Sequence, residues 1–140
     1  MMIILSLSLS IRCPSTNCFN EYRWHRWSTK DWQKEIHEQR INLVRHAQIH
    51  PSHLKGFRVP YLQIDQNYHL DHLQQYHFHY DSSMLFKSSN LIWPFTLNYP
   101  LNQTDCVNCH PWTESHDGLW QFPLHEWTYP NSKRCILDLL

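Results

Sequence analysis

The sequence predicts an α/β fold, on three observations. Residues 55–83, KGFRVPYLQIDQNYHLDHLQQYHFHYDSS, read as strand, helix and strand, with polar residues where the second strand ends. That order calls for two parallel strands joined by a crossover helix. A longer amphipathic helix pattern precedes this unit. The chain also has only two glycines in 140 residues, few against the usual ~7%, which argues against a loop-rich β-sandwich. With 41% hydrophobic and 14% aromatic residues a core can form, and the length suits one domain or part of one.

Taken in order, residues 1–10, MMIILSLSLS, have the length of a signal-peptide apolar region but no Lys or Arg ahead of them. Residues 1–23 are therefore expected to be a signal-like or unassigned segment, and a buried strand is the alternative for the apolar stretch. Ten such residues are too few to cross a bilayer, which takes about 20, so no membrane span is expected. The first helix opens at Ser28, an N-cap with Asp31 three positions on. Trp32, Ile36, Leu43 and Ala47 recur on one face, with Lys34, Glu35, Glu38, Arg40 and Arg45 elsewhere, and the helix ends before Pro51. His46 and His50 have metal-capable i, i+4 spacing, but no third ligand is in view and they read as solvated.

Residues 55–62 form the next strand and its exit. Asn67 is the expected N-cap of a short helix with Leu70 and Leu73 on its inner face. In the strand over residues 77–80, alternation puts His77 and His79 on one face and Phe78 and Tyr80 on the other, a pattern that needs no metal. Residues 91–99, LIWPFTLNY, carry Pro94 at their centre, which disfavours an interior strand and leaves an aromatic loop. Residues 118–124, GLWQFPL, read as a further strand.

Charge and cysteine usage narrow the function classes. Twelve Lys and Arg balance twelve Asp and Glu, so nothing points to a nucleic-acid partner. Of the five cysteines, Cys106 and Cys109 form a CxxC, Cys13 and Cys18 a looser pair, and Cys135 stands alone. They read as parts of a disulfide framework in a secreted protein. The competing reading is a zinc knuckle, because His110 directly follows Cys109. A structural zinc site, however, takes four ligands, usually from two such knuckles.

In parallel sheets functional groups gather at the carboxyl ends of the strands, where Arg58 and Asp81 fall. The segments GFRVPYLQ, YDSS, IWPFTLNY and GLWQFPL, in that order, with DWQKEIHEQRINL ahead of them, resemble the chitin deacetylase-like polysaccharide deacetylases of animals, the NodB-type carbohydrate esterases of family four. The resemblance covers residues 24–127, leaving 128–140 as a tail. It implies a fragment of a distorted (β/α) barrel, since a whole barrel takes roughly 200 residues or more.

The resemblance also implies roles. Arg58 and Asp81 would belong to the catalytic neighbourhood, a guanidinium serving to hold a carboxylate ionised. Pro60, Tyr61, Trp93 and Trp120 would line the groove for chitin or a related N-acetylglucosamine polysaccharide. The ordinary alternatives are a surface ion pair for Arg58, a turn cap for Asp81 and core packing for the aromatics. Family members remove the N-acetyl group with zinc held by an aspartate and two histidines. This sequence has no TFDD-like motif, no HSxxH pair and no late LxxH, and Gln121 stands where the family carries an acid. The expectation is a partial, extracellular, chitin deacetylase-like domain that binds no zinc by itself and is inactive alone. The alternatives are a non-catalytic carbohydrate-binding remnant and a small secreted disulfide or zinc module.

Overall fold

A computed structural model describes residues 3–6, 27–59, 62–64, 68–87, 89, 91–100, 105–110 and 114–126. The expectations for Asn67, Pro60, Tyr61, Cys13, Cys18 and Cys135, and for the tail, lie outside the described residues. The elements in chain order are β1 (Ile3–Ser6), α1 (Thr29–His46), a 3-10 turn (Pro51–His53), β2 (Leu54–Arg58), α2 (Tyr68–Gln75), β3 (Tyr80–Asp81), β4 (Leu85–Phe86), β5 (Phe95–Thr96), β6 (Trp120–Gln121) and β7 (Leu124–His125).

Helix α1 starts where the sequence puts it. Ser28 Oγ accepts from the Asp31 amide at 3.3 Å while Asp31 Oδ2 accepts from the Ser28 amide at 2.9 Å, a reciprocal cap contributing about 1 kcal/mol. The Ser28 hydrogen bonds also hold the Asp31 carboxyl below its usual range. Trp32 and Ile36 are fully buried. Leu43 is only half-buried, and Ala47 is exposed because it is the cap that ends the helix. Arg40, expected off the packed face, lies over the Phe78 ring at 5.2 Å and donates to the Tyr76 carbonyl. Its long stem reaches past the edge of the apolar stripe to clasp the end of α2.

Helix α2 buries Leu70 and Leu73 as expected. It ends in a Schellman motif: His77 turns left-handed at φ 56°, its amide bonds Gln74 O at 3.1 Å, and the Phe78 amide bonds Leu73 O at 2.9 Å. The strand therefore opens at Tyr80, three residues later than the sequence reading, since His77 is taken up by the helix end. The alternation itself holds, with His77 and His79 exposed and Phe78 and Tyr80 buried. His72 Nε2 meets the Thr29 carbonyl at 2.9 Å and ties α2 to the start of α1.

The expected parallel unit is present: β2 and β3 pair in parallel across α2, with Gly56 opposite Tyr80 and Phe57 opposite Asp81. The larger sheet has the order β1-β2-β3-β6-β5, parallel except for the β5–β6 pair. Ile3–Ser6, left open between a signal-like segment and a strand, pairs with β2. The aromatic stretch at 91–99 contains the short strand β5 on the sheet's edge, directly after Pro94, where the missing N–H costs no ladder bond. Residues 118–124 form no single strand. The chain leaves the first sheet after Gln121 and enters a second, two-stranded sheet at Leu124, because Pro123 has no amide to continue the ladder. The β3–β4 segment makes the same step alongside it.

Gly56 is required by that register. A Cβ there would stand 2.1 Å from the ring of Tyr80, which is itself buried. Gly56→Ala is expected to destabilise the fold by about 1–3 kcal/mol through overpacking, read as a lower urea midpoint at unchanged slope. An unchanged midpoint would mean that the Tyr80 ring is free to move aside.

Candidate functional site

The site is built where β2, β3 and β6 end side by side. The register that sets Phe57 opposite Asp81 and Asp81 opposite Gln121 brings Arg58 next to Ser82. Arg58 Nε donates to the Ser82 carbonyl at 2.9 Å and Nη2 to Ser82 Oγ at 3.0 Å. Ser82 Oγ in turn donates to the Phe122 carbonyl at 3.0 Å. Thus one guanidinium and one hydroxyl join the three strand exits. Burial holds Arg58 below the usual arginine range, with Asp81 and Tyr80 opposing.

Asp81 is 0% exposed. Its Oδ1 accepts from Ser83 Oγ at 2.6 Å, and its Oδ2 accepts from the Ser83 amide at 3.0 Å. With the Gln121 amide oriented nitrogen-inward, that nitrogen donates to Oδ2 at 2.8 Å and its oxygen accepts from the Met84 amide at 3.2 Å. Ser83 Oγ also accepts from the Val59 amide at 2.9 Å, linking the exit of β2 to the carboxylate. Burial pushes the Asp81 carboxyl up, while His69 and the Ser83 and Ser82 hydrogen bonds pull the other way.

Of the residues singled out in the sequence, Arg58 and Asp81 lie on neighbouring strands, but the Arg58 Nε and Nη2 donors go to Ser82. Asp81 holds the turn after β3, the arrangement of an aspartate capping its own chain two residues on. Trp93 is 84% exposed in the loop before β5, and Trp120 is 45% exposed on β6, opposite Tyr80 and Thr96. The Trp93 loop is held by the Ile92 amide donating to His125 Nε2 at 2.9 Å.

Three contributions were not visible in the sequence. Gln121 is a hydrogen-bond donor to the buried carboxylate and not merely the substitute for an acid. His116, 1% exposed, meets Asp71 Oδ1 at 2.8 Å and fixes the approach to β6 against α2. Asn108 accepts from the Leu85 amide at 2.8 Å and donates to Leu62 O at 2.8 Å and Ser83 O at 3.0 Å. These contacts span 23 to 46 residues of sequence, so no periodicity announces them.

Cys106 and Cys109 are joined as a disulfide, which removes this pair as thiolate ligands and sets aside the zinc-knuckle reading for it. His50 caps the 3-10 turn through Ser52, with Nδ1 2.7 Å from its Oγ. Among the described residues no three His, Cys, Asp or Glu side chains are placed to hold a metal ion together. No helix among them is long and apolar enough to cross a membrane.

The raised carboxyl of Asp81 has a pH consequence of definite sign. A group that binds its proton more tightly when folded contributes stability at low pH, and this contribution is lost as pH rises above the unfolded value of about 4. Asp81→Asn keeps the shape and drops the charge. The thermal midpoint of the Asp81→Asn variant is expected to gain on the wild type as pH is raised from about 4 towards neutrality. A difference that stays flat with pH would show that the hydrogen bonds fully compensate the burial.

No protein-family model matches the chain. It is similar to chitin deacetylase 8 of Bombyx mori, with 28% identity over 116 residues covering 79% of this chain and 30% of that protein. It is also similar to chitin deacetylase 1 of Bombyx mori, with 23% identity over 108 residues, 76% of this chain and 20% of that protein. The chain thus spans less than a third of the length of these curated relatives. What joins it to them is a distant, chitin deacetylase-like relationship.

Proposed function

We propose that this chain is a piece of a chitin deacetylase-like domain of the NodB barrel type, and that it binds polymers of N-acetylglucosamine at the ends of β2, β3 and β6. The observation that carries the reading is the exposure of Trp93 and Trp120, before β5 and on β6, in a sheet whose strand exits also hold a fixed guanidinium, Arg58. Aromatic faces left in water are suited to the apolar faces of pyranose rings, and Arg58 supplies a cation near by. Pro60 and Tyr61, which lie outside the described residues, join the proposed sugar contacts on the resemblance alone. The Cys106–Cys109 disulfide supports an extracellular setting, where such bonds persist.

Hydrolysis of the N-acetyl group is proposed for the complete domain and not for this chain alone. Zinc would polarise the acetamide carbonyl and activate water there, and the motifs that would hold it are absent from this sequence. A non-catalytic binding role is the second reading. It is favoured by the full burial of Asp81, whose oxygens face Ser83 and Gln121 rather than solvent.

Titration of chitin oligomers against tryptophan fluorescence tests the binding claim. Saturable quenching is expected, and Trp93→Ala should weaken it at least about tenfold, a loss of about 1.4 kcal/mol, with no change in thermal midpoint because the side chain is exposed. A flat titration in the wild type would remove the proposal.

A further inference from the structure

The loop that carries the disulfide does more than close on itself. Residues 105–110 run beside β4: Phe86 bridges Cys106, the Val107 amide bonds Leu85 O at 2.7 Å, and the Lys87 amide bonds Asp105 O at 3.1 Å. From within the four-residue bridge Cys106–Cys109, the side chain of Asn108 turns inward. A carboxamide offers two N–H donors and one carbonyl acceptor. Here both kinds are used, on Leu62 O past the exit of β2, on Ser83 O past the exit of β3, and on the Leu85 amide at the start of β4.

Ser83 is the residue whose amide and hydroxyl both serve the Asp81 carboxylate, and whose hydroxyl receives the Val59 amide. Asn108 therefore grips the far side of the same peptide segment that wraps Asp81. We propose that Asn108, held at fixed reach by the Cys106–Cys109 disulfide, is a positioning residue for the candidate site, locking the exits of β2 and β3 so that Asp81, Ser83 and Arg58 keep their mutual geometry. This rests on the reading of those exits as a carbohydrate site, but its mechanical core does not need a ligand. A donor pair that spans two strand exits fixes their separation, and a short covalent loop limits how far the donor can swing.

Amide hydrogen exchange by NMR on the 140-residue chain reads this directly. The diagnostic amides are Val59 and Ser83, whose acceptors are Ser83 Oγ and Asp81 and not Asn108. Asn108→Asp keeps an acceptor for the Leu85 amide and removes both donors. It is expected to speed exchange at Val59 and Ser83 at least about tenfold, while the amide of Ile36 in α1 stays at the wild-type rate, the mark of local opening. The double variant Cys106→Ser with Cys109→Ser should give the same pattern with Asn108 intact, and it stands as the test if Asn108→Asp does not fold.

Faster exchange confined to Leu85, or an equal rise at Ile36, would overturn the proposal, since the first denies coupling and the second is global destabilisation. Binding of chitin oligomers separates the two claims. A wild type that fails to bind but shows coupled exchange removes the carbohydrate reading and keeps the positioning of the strand exits; normal binding with uncoupled exchange does the reverse.

Discussion

The structure around the strand ends depends on keeping one buried carboxylate hydrogen-bonded. An ionised group taken fully out of water costs several kcal/mol unless donors replace its hydration. Asp81 receives the amide and hydroxyl of Ser83 and, from the neighbouring strand, the amide group of Gln121. The first two come from the residue two places further along the chain, immediately after β3. The strand lasts two residues in the first sheet and resumes as β4 in the second. Beside it, the chain after β6 steps across in the same way at Pro123.

Gln121 gives this constraint a chemical meaning. The resemblance to polysaccharide deacetylases implies an acid at this position. Two carboxylates sharing one dry site cannot both ionise, and one would be held protonated. An amide removes that conflict by donating to Oδ2 through its nitrogen while its oxygen receives the Met84 amide. The amide fits a junction anchored on Asp81, where Arg58 holds Ser82 and the Ser82 hydroxyl reaches the Phe122 carbonyl just past β6.

How much of this was legible in the sequence follows from the range of each interaction. The capping box at Ser28, the inner face of α2 and the alternation from His77 to Tyr80 are local, and their spacing stated them. Pro94 disfavoured an interior strand and pointed to a loop, whereas the stretch holds the short edge strand β5. The late start of β3 was hidden because a histidine holds the left-handed place where glycine is the usual signal. Arg40 over Phe78, His116 on Asp71 and Asn108 on three separate segments join residues 36 or more positions apart in at least one contact each, and no pattern of spacing encodes them. For the candidate site, the sequence brought out Arg58, Asp81 and the exposed tryptophans. It did not show that Asp81 is sealed from solvent, since burial is a property of packing.

In the proposed binding role, the sealed Asp81 carboxylate, engaged with Ser83 and Gln121, holds the site's walls together rather than moving protons on a substrate. The measurement that bears on this most directly is acetate release when the purified chain is incubated with chitin oligomers, with and without added zinc. No acetate above the blank is expected in either case, with the oligomers still bound. Zinc-dependent release of acetate would contradict the proposed role, and would require Asp81 or an unassigned group to reach the substrate.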